Sequence, residues 1–110
     1  KAIEGYKIGN PEGKWTVFYE NDSIAEVKYY SNGKREGSYV QMNQDGKRIL
    51  EMMYKNDQPD GVVKVYYPDG KLQETGNYRK GVKEGSWLEY DSNGNISNTS
   101  VFINGVLKEK

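Results

Sequence analysis

The chain has 110 residues, with 16 basic and 16 acidic side chains, no cysteine and no histidine. Its length suits one domain, and zero net charge gives no global pull towards nucleic acid or an anionic membrane. Without cysteine or histidine, disulfide frameworks, thiol nucleophiles, histidine triads and the usual zinc sites are excluded.

No apolar run approaches the roughly 18 residues of a membrane helix, and no signal-like leader is visible. The apolar fraction is only 35%, but it includes ten tyrosines and two tryptophans. Such large amphipathic side chains suit a thin sheet whose faces stay partly wet.

Along the chain, a half-copy with Tyr6 and the turn pair Ile8-Gly9 comes first. Gly13, Gly37, Gly61 and Gly85 then follow at 24-residue intervals, without insertion or deletion. A period this short and strict marks one small unit stacked along an axis. We divide the single domain into a half-repeat, 1–12, and repeats 13–36, 37–60, 61–84 and 85–108.

Each copy opens on Gly13-Lys14-Trp15, Gly37-Ser38-Tyr39, Gly61-Val62-Val63 or Gly85-Ser86-Trp87. A second apolar column is Phe18, Met42, Tyr66 and Tyr90. A turn follows at Asn21-Asp22, Asp45-Gly46, Asp69-Gly70 and Asn93-Gly94. The next run closes on Tyr30, Tyr54, Tyr78 and Phe102 before a second turn at Asn32-Gly33, Asn56-Asp57, Lys80-Gly81 and Asn104-Gly105.

Short segments rich in Tyr, Val, Ile and Trp between Asn-Gly and Asp-Gly pairs predict hairpin after hairpin, with type I′ turns. The expected fold is all-β: one elongated, twisted antiparallel meander of about nine strands, roughly 40 Å long at about 4.8 Å per strand. Period-two alternation puts Trp15, Val17 and Tyr19 on one side and Phe18 on the other. Two arrangements fit: a sheet that encloses one face and leaves an aromatic stripe on the other, or a bulge that returns both columns to one side.

These segments, for example Gly61-Val-Val-Lys-Val-Tyr-Tyr-Pro-Asp-Gly and Tyr78-Arg-Lys-Gly-Val-Lys-Glu-Gly-Ser-Trp, resemble the bacterial variant of the MORN repeat. The resemblance runs from Tyr6 to Gly105 and implies tandem β-hairpins. It also implies a scaffold for proteins or membranes, and members of this variant are often labelled antitoxins of toxin-antitoxin systems. Asp22 and Asp57, in place of Gly, put their turns in question. Val63, in place of an aromatic, puts one ring contact in question.

Nothing in the sequence singles out a catalytic pair. Glu12, Glu36, Asp60 and Glu84 form a column beside the repeat glycines, which points to a structural use. Asp91 to Asn95 starts like a calcium loop, but Phe102 stands where the closing Glu is needed. Lys34-Arg35, Lys47-Arg48 and Arg79-Lys80 are solvated basic pairs, so nucleic acid is not expected as a partner. No cofactor, metal or catalytic residue is assigned.

The candidate partner-binding residues are Trp15, Tyr39 and Trp87 in one column and Phe18, Tyr66 and Tyr90 in the other. Rings repeated about 10 Å apart can hold an extended peptide or another protein. A second route is strand addition or self-association at the sheet ends, around Ile3 to Ile8 and Ser100 to Ile103. The expected function is a non-enzymatic scaffold that binds another protein, with the antitoxin role as the named special case. The alternative is an extracytoplasmic module that stacks sugar rings on the stripe. A start at Lys1, within a repeat, reads as a mature or excised fragment, which leaves cytoplasm and export with a removed leader both open.

Overall fold

The structure, a computed structural model, describes residues 2–3, 6–7 and 10–109. Three short strands come first: β1 (Ala2–Ile3), β2 (Tyr6–Lys7) and β3 (Asn10–Pro11). The first repeat supplies β4 (Gly13–Phe18), β5 (Ile24–Ser31) and β6 (Lys34–Arg35), and the second β7 (Gly37–Met42), β8 (Arg48–Lys55) and β9 (Gln58–Pro59). β10 (Gly61–Tyr66), β11 (Leu72–Arg79) and β12 (Val82–Lys83) follow, then β13 (Gly85–Tyr90), β14 (Ile96–Ile103) and β15 (Val106–Glu109). No helix occurs among the described residues.

The main sheet is an open antiparallel meander running β1-β4-β5-β7-β8-β10-β11-β13-β14-β15, with β6, β9 and β12 pairing back onto β5, β8 and β11. Its extents are 47 × 32 × 12 Å. The thinnest dimension holds one sheet, since a second would add about 10 Å. Only Ala25, Val63 and Trp87 are buried among the described residues.

The half-repeat keeps the period. β2 and β3 pair Tyr6 with Pro11 and Lys7 with Asn10, and β1 pairs with β4. The turn assigned to Ile8-Gly9 lies outside the described residues. At the other end, β15 lies against β14, with Phe102 opposite Leu107 and Ile103 opposite Val106. This corrects the expectation that Ser100 to Ile103 would form an open edge, while the single meander of about nine strands is as expected.

The 24-residue glycine column has a conformational cause. Tyr30 pairs with Arg35, whereas Val27 pairs with Val40, so the return strand carries two more residues than its partner across this stretch. Gly37, within it, sits at φ +93, and Gly13, Gly61 and Gly85 at +82, +116 and +80. Only glycine enters this left-handed region without steric cost.

The two turns of each copy differ. The second has positive φ at both central residues, as at Asn32 (53°) and Gly33 (80°), which is the type I′ pattern. The first has one positive residue, Asp22 (70°), Gly46, Gly70 or Gly94, closing a three-residue loop. In that loop Asp22 N donates to Tyr19 O and Tyr19 N donates to Ser23 O. The first turn is therefore a type I turn with a bulge residue, not the type I′ turn expected from its Asp-Gly pairs.

A bulge also follows this turn. Val17 opposes Glu26 but Phe18 opposes Ile24, which leaves Ala25 as the extra residue. Ile49, Gln73 and Ser97 occupy the same place in later copies.

Candidate functional site

Directly paired residues share a sheet face, so the register assigns both faces. One face carries Trp15 with Lys28, Tyr39 with Met52, Val63 with Gly76 and Trp87 with Ser100. Its rings pack on each other: Trp15 and Tyr30 at 4.9 Å, Tyr39 and Tyr54 at 6.1 Å, Tyr78 and Trp87 at 5.2 Å, and Trp87 and Phe102 at 6.2 Å.

Cations from the same face cover these rings. Arg35 lies 5.3 Å from the centre of the Tyr39 ring and 4.9 Å from Tyr54. Lys83 lies 4.5 Å from Trp87 and 5.0 Å from Phe102, and Lys28 is 5.7 Å from Trp15. Burial, reinforced by the Glu26 carboxylate, pushes the Tyr39 hydroxyl up to about 12. The aromatic face is thus largely satisfied within the chain.

The other face carries Phe18, Tyr66 and Tyr90, all half-buried, with exposed apolar groups between the turns. Met53 is 44% and Val62 53% exposed, against 4% for neighbouring Val63. Among the described residues, Ile24, Tyr29, Val82, Ile96, Ile103 and Val106 are the other exposed large apolar residues on it, leaving only Leu107 on the aromatic face. Between the second and third hairpins, Ser38, Val40, Glu51, Met53, Val62 and Lys64 line an open depression of about 400 Å³. Arg48 Nη1 donates to Glu51 Oε2 at its rim, over 2.6 Å.

The six candidate rings therefore divide. Trp15, Tyr39 and Trp87 are engaged on one face, while Phe18, Tyr66 and Tyr90 lie on the face that carries the depression, none of them lining it. No bulge returns the columns to one side, because the extra residue of each hairpin sits on its second strand. Sequence reasoning missed Met53 and Val62. Their signal was register, since the Gly61 kink offsets the residues that face each other across that repeat seam.

The acidic column has a use within the fold. Glu12, Glu36 and Glu84 each accept, through Oε1, the backbone N–H of the turn residue 20 positions on: Asn32 at 3.0 Å, Asn56 at 3.2 Å and Asn104 at 2.9 Å. Asp91 Oδ1 accepts N–H groups of Asn93 and Asn95 inside its turn. Among the described residues no cluster of three or more acidic groups could hold a metal. Asp57 keeps φ at 69°, and its Oδ1 accepts from Arg35 N at 2.7 Å, so it serves the turn in place of Gly. Val63 makes no ring pair; Tyr78 packs on Trp87 instead.

With this geometry in place, comparison with known proteins gives the family. The MORN repeat variant matches residues 11–32, 59–80 and 83–104, and the chain belongs to that family of repeat scaffolds. Most of its second copy, Gly37 to Gln58, lies outside the matched segments but forms the same hairpin. No curated protein matches the sequence.

Among solved structures, the crystal structure of TarM is similar at 17% identity and a TM-score of 0.51, covering 99% of this chain and 21% of that one. A mutant of S. aureus TarM in complex with fondaparinux, alpha-GlcNAc-glycerol and UDP is similar at 16% identity and a TM-score of 0.52, with the same coverage. The chain thus spans about a fifth of the length of these structures, and at this identity the likeness is one of fold.

Proposed function

We propose that the chain is a non-enzymatic scaffold that binds another protein on the face carrying Met53 and Val62. The supporting observation is the contrast between faces. Apolar groups on one are packed and capped by cations, whereas those on the other stand in water on a single-layer sheet. Contiguous exposed apolar surface of this kind marks interaction sites. Three carboxylates of the repeated acidic column, Glu12, Glu36 and Glu84, are engaged in turns. An antitoxin-type complex with a toxin is the special case that the family label suggests.

Glycan stacking on the aromatic column is the weaker reading, because a sugar needs an open ring face and these rings pack against each other and under cations. The test is affinity capture from the native cell with the chain as bait. One stoichiometric protein partner, lost with Val62→Glu and kept with Trp15→Ala, is the expected result. Retention on glycans with no protein recovered would overturn it.

A further inference from the structure

The two faces differ in charge as sharply as in exposure, although the net charge of the chain is zero. Register places Lys14, Lys34, Arg48, Lys55, Lys64 and Arg79 on the open face, all of them exposed, against Glu51 as the acid of β4 to β14 on that face. On the aromatic face, Lys28, Arg35 and Lys83 are balanced by Glu26, Glu74 and Glu89. Much of the remaining acid lies in turns, such as exposed Asp22, Asp45 and Asp69 along one long edge.

We infer that the open face receives an acidic, amphipathic protein segment, whose apolar side chains fill the depression over Met53 and Val62 while its carboxylates meet the surrounding cations. This inference rests on the scaffold reading above and names the chemistry of the partner.

Charge decides the occupant. Stacking a second copy face to face would set cations against cations with few carboxylates to relieve them, and like-charge juxtaposition is strongly unfavourable at an interface. An anionic membrane would meet the acidic turns along the long edge, and the apolar groups here line a hollow rather than protrude into lipid. Nucleic acid would leave Met53 and Val62 facing phosphate. A strand or helix alternating carboxylates with aliphatic residues satisfies both features.

The test uses the full chain and a synthetic peptide alternating glutamate with isoleucine, with a lysine-isoleucine peptide as control. Binding is followed by calorimetry and by chemical-shift mapping. The expected result is that only the glutamate peptide binds and that it shifts Met53, Val62 and Lys64. Lys55→Glu with Lys64→Glu should weaken it about tenfold or more, while Lys47→Glu with Lys80→Glu, the same change in net charge at exposed turn positions, should leave it within about twofold.

Equal loss in both pairs would overturn the inference, as would tighter binding to phosphatidylserine vesicles or to poly-uridylate than to the peptide. A peptide seated on the aromatic face or on an edge strand would overturn it and leave the scaffold reading standing. Failure of every peptide to bind would overturn the inference and leave the scaffold reading to the affinity capture.

Discussion

Gly76 and Gly85 show two reasons for a glycine in one sheet. A Cβ on Gly76 would overlap the Trp87 ring, which lies across it, whereas a Cβ on Gly85 would meet open space but with φ at +80. Gly76→Ala is therefore expected to cost about 1 to 3 kcal/mol through overpacking, and to change the near-ultraviolet signal of Trp87. Gly85→Ala is expected to cost about 1 to 2 kcal/mol through backbone strain alone and to leave that signal intact. Urea unfolding with near-ultraviolet dichroism separates them.

Tyr39 gives a pH prediction at the same scale. Its hydroxyl stands near 12 in the folded chain, against about 10 in the unfolded one. The folded state therefore holds the proton more tightly. The stability this contributes is intact below about pH 10 and is lost as pH rises towards 12. Tyr39→Phe is expected to remove that part of the alkaline fall in an unfolding titration; an unchanged fall would contradict it. The repeat glycines were legible as a column in the sequence, but Gly76 was not, because its cause is a ring eleven residues away.

At the scale of the hairpin, each turn is held partly by its neighbour. Asp57 N donates to Arg35 O at 3.1 Å, Gly81 N to Pro59 O at 2.8 Å, and Gly105 N to Lys83 O at 2.9 Å. At the other end, Tyr19 and Tyr67 hydroxyls donate to the carbonyls of Met42 and Tyr90, each at 2.6 Å. Glu36→Ala is expected to cost about 0.5 to 1.5 kcal/mol, the worth of one exchanged hydrogen bond, measured by thermal unfolding. Asp57→Ala should cost more than Asp57→Gly, because glycine keeps the left-handed turn and loses only the bond to Arg35 N.

The hairpins and their order were legible in the dipeptides of the turns. The type of the first turn was not, since Asp69-Gly70 suits a two-residue or a three-residue loop equally. The choice comes from the Asx contacts around it, such as Asn43 Oδ1 accepting from Asp45 N and Lys47 N.

For the whole molecule, repeats that touch only their neighbours add nearly independently. Removing residues 37–60 should leave a folded sheet shorter by about 10 Å, two strand spacings, by small-angle scattering. Architecture and period were therefore plain from the sequence. The identity of the open face was hidden, because both columns contain aromatics, and only the kinked register shows which are capped by Arg35 and Lys83 and which share a face with Met53.

The native chain has no cysteine, so single cysteines can report the two faces directly. Val62→Cys and Met53→Cys should react with a thiol reagent about tenfold or more faster than Val63→Cys and Met52→Cys, and bound partner should slow only the first pair. Equal rates at positions 62 and 63, or protection of position 63 alone, would contradict the assignment of an open docking face.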